Sequence, residues 1–350
     1  MTFGVAAPET DLYVPLPQPD ARWDPHTIHT HYFGFSVPEV ALHGFLYIRW
    51  HPVLRSCLGG VCVYRGLNNL AALDIDFLDW EIGMPWPEVD GNTFTTANGL
   101  SVEFDIPGVA ANLRYRSRDG AVSFDLRQEA VTPLLPRGHV IPGEELAATA
   151  VAGGTEQFMH CTGQLTLHGE VFDVDCHAAR DRSWCQIRAE TQGGAVPGPP
   201  IDWTPMYLGE DLIFNQISIE SEDTDPAWKG VYDVPSDRPS HHFAWVIADG
   251  EVRKITTVRR DVLEYHPVLH AATRQVIEAE DETGRKYRFR GEAIALAPLP
   301  QWPNATFHES LFRWEDDDGR VGYGPSQELW FDAYQRAMKA RSRPAVGARP

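Results

Sequence analysis

The chain lacks the features that mark several common protein classes. Its 350 residues include 30 Lys and Arg against 49 Asp and Glu, and this net charge of −19 argues against binding to nucleic acid or to an anionic membrane surface. No apolar run reaches the roughly 18 residues that a membrane-spanning helix needs. The G-x-G-x-x-G, P-loop and G-x-S-x-G patterns are absent as well. We therefore expect no nucleic-acid partner, no membrane span and no cofactor.

Cysteine is scarce and follows no recognisable spacing. The chain has five: Cys57, Cys62, Cys161, Cys176 and Cys185. Their odd number and the absence of a C-x-x-C pair argue against a disulfide framework and against a zinc ribbon. Residues 1–22 lack the basic start and the apolar run of a signal peptide. These features predict a cytoplasmic protein with reduced thiols.

Most of the chain has the pattern of short antiparallel strands. Ile28–Val37 and His43–His51 are rich in aromatic and β-branched residues and predict a long hairpin. Leu100–Ile106 alternates apolar and polar residues, as a half-buried strand does. Asp119-Gly120 marks a further hairpin turn, and similar strands recur from Met206 to Tyr323. This spacing predicts an all-β sandwich or barrel.

Two stretches look helical, and one looks like a linker. Ser326–Lys339 places Leu329, Ala333 and Ala337 on one helical face, and Glu144–Ala150 predicts a shorter helix. Gln192–Asp202 is rich in Gly and Pro and is the best candidate for a domain boundary.

Four segments resemble the double lipocalin-like barrel superfamily. They are Met84–Val102 (MPWPEVDGNTFTTANGLSV), the pair HYFGFSVPE and HGFLYIRWHP, and the segment VDCHAARDRSW. The superfamily includes carotenoid 1,2-hydratase-like, AttH-type and kievitone-hydratase-like proteins and fungal Diels–Alderases. The resemblance extends from about His29 to Trp330. One departure is visible, because relatives commonly have Gly after the Trp where this chain has Cys185, and Gly there would permit an unusual φ.

The resemblance implies two lipocalin-like antiparallel β-barrel halves in tandem, followed by a short C-terminal helix. The expected division is an irregular arm at 1–25, a first barrel at 26–190, a second barrel at 191–340 and a disordered tail at 341–350. Val171–Glu190 lies between the strand-rich halves and is dense in reactive side chains, so we expect it to join them and to line a pocket.

Asp181 and Trp184 are the leading candidates for chemistry. A carboxyl group in an apolar cavity has a raised pKa and can protonate an alkene or orient water, and an aromatic face can stabilise a carbocation. In this interpretation Asp181 is the acid or base and Trp184 shapes the pocket. In the alternative interpretation Asp181 pairs with Arg180 or Arg182 and holds the two halves together.

Two further groups could take part in catalysis. His177 lies two residues after Asp175, so a strand would place them on one face, where the carboxylate could orient the imidazole. The alternative is a hydrogen-bonded structural histidine. Near the C-terminus, either Glu309 or His308 should point into the second barrel, since neighbours in a strand alternate. An outer, salt-bridged surface is the alternative for Glu309.

Aromatic side chains on the strands could line the pocket. The candidates are His31, Phe33, Trp245 and Tyr323, together with Trp184. His29 and His31 would also share a strand face and could hold a metal with a third ligand, but a metal-free pair is the expectation.

These observations together favour a cofactor-independent hydratase, dehydratase, isomerase or cyclase. Its expected substrate is a hydrophobic terpenoid- or polyketide-like molecule in a pocket near the junction of the barrels. The alternative is a binding protein that carries hydrophobic small molecules without changing them.

Overall fold

A computed structural model describes residues 5–19, 21–137, 144–146, 152–188, 201–221, 240–302, 305–331, 335–336 and 339–340. The described chain is all-β and forms two antiparallel sheets, a half-barrel followed by a closed barrel. This confirms the predicted fold class of two lipocalin-like halves in tandem. Among the described residues, no helix has both the length and the apolar character needed to cross a bilayer.

The first half is a 13-stranded sheet. Its strands are β1 (Thr27–Val37), β2 (Leu42–His51), β3 (Ser56–Arg65), β4 (Phe77–Pro85), β5 (Glu88–Asp90), β6 (Thr93–Thr95), β7 (Ser101–Ile106), β8 (Ala110–Arg116), β9 (Val122–Ala130), β10 (Leu135–Pro136), β11 (Glu144–Leu146), β12 (Gly153–Leu167) and β13 (Glu170–Arg188). The order across the sheet is β4-β3-β2-β1-β13-β12-β9-β8-β7-β6-β5, with β10 beside β12 and β11 beside β13. The last long strand, β13, therefore inserts between β1 and β12.

The second half is a closed eight-stranded barrel in which the strands follow one another in chain order. They are β14 (Ile201–Tyr207), β15 (Leu212–Ile219), β16 (His241–Ala248), β17 (Glu251–Tyr265), β18 (Ala272–Asp281), β19 (Lys286–Trp302), β20 (Ala305–Asp316) and β21 (Val321–Phe331). Closure pairs β21 with β14 and leaves this sheet without a free edge.

The wall where the halves meet is buried on both faces. In β1, Phe33 and Phe35 belong to the core of the first half, whereas Tyr32 belongs to a separate cluster that includes Trp203 and Leu311 of the second half. Ten of the eleven residues of β1 are buried for this reason. Burial that does not alternate along the strand therefore marks a strand covered on both sides.

Several predicted elements differ in the structure. The predicted strand Leu73–Trp80 begins only at Phe77, after a short 3₁₀ turn at Ala72–Asp74. The helix prediction for Ser326–Lys339 is wrong for residues 326–331, which belong to β21, and helical residues are found at 335–336 and 339–340. Leu329 and Trp330 are adjacent and both buried, which suits a strand covered on two faces.

The helix predicted at 144–150 and the predicted linker also differ in part from the structure. Residues 144–146 form β11 and pair with β13, so the helix prediction is wrong there, and the remainder lies outside the described residues. Of the predicted linker, Ile201 and Asp202 begin β14, while 192–200 lie outside the described part, as do the predicted tail residues 341–350.

Candidate functional site

The reactive central stretch is an inner strand of the first half. It lies in β13, which pairs with β1 on one side and with β12 on the other. The expectation that it joins the two halves is therefore wrong. Arg180 and Arg182 lie opposite Phe33 and His31 in the register of β1, and alternation places these four side chains toward the interior of the first half.

A pocket of about 290 Å³ opens into this interior. The N-terminal arm forms one side of it through Asp11, Leu12, Val14 and Leu16. Aromatic rings form much of the opposite wall, from His31, Trp50, Trp86, Phe94 and Phe104. The pocket thus has the apolar lining and nearly the size typical of a site for a small organic ligand.

A smaller cavity of about 10 Å³ lies at the inner end of the pocket. It shares Asp11, His31 and Phe104 with the larger pocket, so the two adjoin. Its other lining residues are Phe33, Leu134, Thr155, Gln157, Arg180, Asp181 and Arg182. The predicted residues His31 and Phe33 are brought together here, whereas Asp181 borders the cavity but directs its carboxylate to Arg137.

The arm is held in place by polar contacts at three points. The backbone N–H of Cys185 donates to Nδ1 of His29 at 2.9 Å, so Nε2 of His29 carries the proton and donates to the carbonyl of Pro15 at 2.8 Å. Asp11 accepts at Oδ2 from the backbone N–H of Gly108 at 2.6 Å and from Arg180 at 2.8 Å. Residues 1–25 were expected to form an irregular arm, and no local signal in the sequence marks Asp11 as a pocket residue.

His31 presents one unused donor to the cavity. The indole N–H of Trp50 donates to Nδ1 of His31 at 3.0 Å, which leaves the proton on Nε2. That Nε2–H is buried and has no hydrogen-bond partner in the described part of the chain. Burial and the nearby Arg182 hold the pKa of His31 well below its ordinary value of 6.5, so the ring is neutral.

Arg180 and Arg182 differ sharply in their contacts. Arg180 donates to the side-chain oxygen of Gln157 and to Asp11. The three guanidinium nitrogens of Arg182 are buried and have no hydrogen-bond partner among the described residues. The guanidinium lies 5.6 Å from the ring centre of Trp184, a cation–π contact that uses no N–H. Burial lowers the pKa of Arg182 to about 9.

Trp184 and Cys185 form a bulge in β13. Thr30 pairs with Ser183 and Ile28 pairs with Gln186, so β13 has one residue more than β1 across this interval. Cys185 has a φ of 55°, in the left-handed region that favours glycine. The structure therefore shows the unusual φ that the sequence comparison suggested, with Cys occupying the position.

The bulge places Trp184 beside the arm rather than among the residues that line the pocket. Its ring makes an edge contact with Tyr13 at 5.6 Å between ring centres. Gly153 lies against the ring, and a Cβ at this position would approach it to 2.7 Å. Trp184 thus packs against Arg182 and against Tyr13 of the arm without lining the pocket.

The carboxylate of Asp181 belongs to an ion-pair cluster on the other face of β13. Arg137 donates to its Oδ2 at 2.5 Å. Asp181 lies opposite Glu156 in the register, and Glu156 accepts hydrogen bonds from Trp203 and Asn215 of the second half, both at 3.1 Å. Burial and Asp181 raise the pKa of Glu156 well above its ordinary value. Asp181 is paired with an arginine, as the alternative interpretation expected, but the partner is Arg137.

Glu309 and His177 lie apart from this cluster and from each other. The Tyr32 hydroxyl donates to Glu309 at 2.9 Å, and Nε2 of His43 lies 3.4 Å from the same oxygen, at the contact between the halves. Burial raises the pKa of Glu309. His177 stacks on Tyr207 with ring centres 3.8 Å apart. These contacts put the two predicted catalytic groups in separate places.

Strand alternation was used to predict the orientation of two histidine–carboxylate pairs, Asp175 with His177 and His308 with Glu309. The structure gives the orientation of each pair. Asp175 bonds to His160 at 2.7 Å, not to His177. His308 alternates with Glu309 along β20 and shares the face of Phe312, which packs in the interior of the second barrel. His308 therefore points into that barrel, while Glu309 points out of it toward the first half.

The two remaining predicted pocket residues lie between the halves. Trp245 is fully buried and makes an edge contact with Phe158 of β12 at 6.2 Å. Tyr323 packs at the margin of the same cluster. Neither lines the described pocket of the first half.

The paired histidines of β1 do not form part of a metal-ligand group. No set of three or more His, Cys, Asp or Glu side chains placed to hold a metal occurs within the described ranges. Both ring nitrogens of His29 are engaged in the hydrogen bonds that hold the arm.

Three solved structures share the fold across nearly the whole chain, each with a TM-score of 0.50. CghA is 14% identical over 88% of this chain and 89% of its own, and kievitone hydratase from Nectria haematococca is 12% identical over 96% and 97%. A putative AttH from Nitrosomonas europaea is 13% identical over 92% and 99%. The matches confirm the predicted resemblance at the level of the fold, which is all that they show at such identities.

A search of curated protein sequences found no match. The model of the family described as Domain of unknown function (DUF7064) matches residues 16–331, from the arm to the last strand of the second barrel. The chain therefore belongs to the DUF7064 family.

Proposed function

We propose that this protein binds an apolar small molecule in the pocket of the first half and catalyses a lyase- or isomerase-type reaction on it. The observation that carries the proposal is the pocket itself. It combines a wall of aromatic rings with two buried donors at its inner end, Arg182 and Nε2–H of His31, and neither has a hydrogen-bond partner among the residues that the structure describes. Buried donors are normally satisfied, so their exposure to a cavity favours a ligand that supplies the acceptor.

The groups around the cavity suit hydration, dehydration or cyclisation of a molecule whose double bond is conjugated to a carbonyl. Donation from Arg182 and His31 to the carbonyl oxygen withdraws electrons from the double bond and stabilises the charge that develops in the transition state. Asp11, which lines both cavities, is the carboxylate placed to orient water or to accept a proton. The substrate class that fits is a terpenoid or polyketide with such a group.

The structural neighbours support an enzymatic function in a general way. One is named a hydratase, so the fold is compatible with addition or removal of water. Because one fold supports many activities, the residues of this pocket carry the proposal, and the neighbours add only compatibility.

The first test of the proposed function is to identify the molecule that the protein binds. Native mass spectrometry of protein from host extract, followed by denaturing extraction, should recover an apolar molecule together with a hydrated, dehydrated or rearranged form. Trp86→Ala should lose this ligand, because Trp86 lines the pocket. Trp80→Ala is the matched control, since Trp80 is also half-buried but stacks on Tyr47 away from the pocket. Ligand retention by W86A, or loss by both variants, would contradict the location of the site.

One observation favours the alternative of a carrier. The three side chains predicted from the sequence as acids or bases are engaged elsewhere, since Asp181 is paired with Arg137, Glu309 with Tyr32, and His177 stacks on Tyr207. A carrier would yield a single unaltered ligand, and the purified protein would not convert it during prolonged incubation.

A further inference from the structure

We propose that Arg182 and His31 form a subsite that recognises an oxyanion of the ligand, a carboxylate or an enolate, at the inner end of the first-half pocket. This inference rests on the proposed function and names the chemical class of group that the ligand must carry. It is supported by the contacts, the location, the size and the charge of the small cavity.

The contacts single out Arg182. Its side chain is only 4% exposed, yet all three guanidinium nitrogens have no hydrogen-bond partner in the described chain. Arg180, on the same face of the same strand, donates to Gln157 and to Asp11. Burial alone therefore does not prevent an arginine at this wall from finding partners. Arg182 is the one whose donors remain for a ligand.

His31 adds a second donor at the same place. It lies directly opposite Arg182 in the register of β1 and β13, and opposed side chains on one sheet face have Cβ atoms about 4.5–5.5 Å apart. Its Nδ1 is already occupied by the Trp50 indole, so only Nε2–H is left to donate. Both residues line the small cavity.

The dimensions of the cavity suit one polar group at the end of an apolar molecule. Its volume of about 10 Å³ is close to the minimum that holds one water-sized atom. The adjoining pocket of about 290 Å³ has room for the apolar body of the ligand. A small molecule with a terminal oxyanion would place its rings or chain against Trp50, Trp86 and Phe94.

The charges around the cavity leave a positive excess. Asp11 and Arg180 form an ion pair that neutralises both, at 2.8 Å, and Asp181 is neutralised in the same way by Arg137. His31 is neutral, because its pKa lies well below 6.5. Arg182 then contributes one positive charge without a counterion in contact. Trp184 covers a face of the guanidinium, so its N–H edge stays open for the coplanar hydrogen bonds that carboxylates accept.

The test compares two aromatic probes that differ in charge, 2-naphthoate and 2-naphthalenemethanol, with binding followed by quenching of tryptophan fluorescence. A hydrogen bond to a charged group contributes enough to make the anion about 10- to 100-fold tighter in the wild-type protein. Arg182→Met should abolish this preference and leave the affinity for the alcohol within about twofold. Arg182→Lys, which keeps the charge, should retain part of it.

The control removes a charge elsewhere. Arg288→Met changes an exposed arginine of the second barrel that pairs with Glu278, and it should keep the full preference for 2-naphthoate. Thermal melting of R182M checks folding, and its melting temperature should not fall below that of the wild type, because a buried charge without a counterion is removed.

The outcomes separate the subsite from the pocket. If neither probe binds the wild-type protein, the proposed pocket function fails. If both bind equally, or if R182M keeps the preference for the anion, the oxyanion subsite is wrong while the pocket stands. If 0.1 M chloride abolishes the preference by occupying the cavity, Arg182 holds an adventitious inorganic ion only, and the proposed ligand class is overturned.

Discussion

Arg180 and Arg182 lie two residues apart on one face of β13, and within the described ranges only the guanidinium of Arg180 has hydrogen-bond partners. Both are buried in the same wall of the first half. Within one strand, Arg180 is therefore an arginine that stabilises the fold, and Arg182 is an arginine whose donors face a cavity. The two side chains should respond oppositely to the same substitution.

Replacing each arginine by Met tests this difference. Arg180→Met leaves Asp11, which is 3% exposed, as a buried carboxylate without its counterion, and the free energy of unfolding should fall by about 3–5 kcal/mol. Arg182→Met removes a charge without a counterion, so the free energy of unfolding should stay the same or rise by about 1–4 kcal/mol. Urea denaturation measures both values. A loss of several kcal/mol in R182M would assign that side chain to the stability of the fold.

The left-handed conformation at Cys185 predicts that substitutions there differ in their effect on stability, with Gly tolerated better than Val. Gly relieves about 1 kcal/mol of strain at a φ of 55° but loses the packing of a fully buried side chain, so C185G should be nearly neutral in stability. Val, being β-branched, should cost at least about 2 kcal/mol in free energy of unfolding, because this φ is a genuine outlier for branched residues. Thermal and urea unfolding of both variants checks the order, and an equally tolerated Val would show that the backbone there relaxes.

Acidification should weaken the fold through His29. Its pKa falls from 6.5 to about 4 on folding, mainly through burial, so the unfolded chain binds the proton more readily between these values. Stability contributed by neutral His29 is complete above pH 6.5 and is lost as the pH falls toward 4, by about 3 kcal/mol in all. His31 and His308, whose pKa values are also lowered, act in the same direction.

The variant His29→Asn isolates this contribution. Asn keeps an acceptor for the backbone N–H of Cys185 but does not titrate. Urea denaturation at pH 7.5 and pH 4.5 should therefore give a smaller stability difference in H29N than in the wild type. Equal differences in the two proteins would exclude His29 as a source of the pH dependence.

Glu309 should behave as a structural group at the contact between the halves. Glu309→Ala leaves the Tyr32 hydroxyl without the carboxylate to which it donates at 2.9 Å, and an unsatisfied buried group costs about 1–3 kcal/mol in free energy of unfolding. Glu309→Gln keeps an acceptor and should cost less. Ligand binding in the first-half pocket should be unchanged in E309Q. A well-folded E309Q that binds ligand without converting it would instead support a catalytic role for Glu309.

Asp181 is tested by conversion to Asn. The substitution removes the negative charge that accepts from Arg137 at 2.5 Å, and we expect a lower melting temperature, because Arg137 is itself buried. The preference for 2-naphthoate should persist, since Asp181 and Arg182 point to opposite faces of β13. Abolished turnover without any change in melting temperature would support the catalytic interpretation, which stays a prediction.

The sequence was informative wherever one face of a strand is exposed. The hairpin around Asp119-Gly120 and the strand at Leu100–Ile106 were predicted from period-2 alternation and turn residues, and both lie in the first sheet. The second part of the last strand was mistaken for a helix, because residues 326–330 are buried or half-buried on both faces and so lack a simple period. Burial on both faces results from the packing of one half against the other, which local pattern does not record.

For the candidate site, the residue types of the central stretch indicated its possible chemistry, whereas the packing of the strands selects which side chains share a cavity. His31 and Phe33 were expected in a pocket and line the inner cavity, because they occupy alternate positions on an aromatic strand. Asp181 was chosen over Arg182, yet one step along β13 reverses the face of a side chain, and only the register with β1 and β12 places the arginine inside. Asp11 was missed because its role depends on where the arm lies, which is set by contacts to residues about a hundred or more positions away, Gly108 and Arg180.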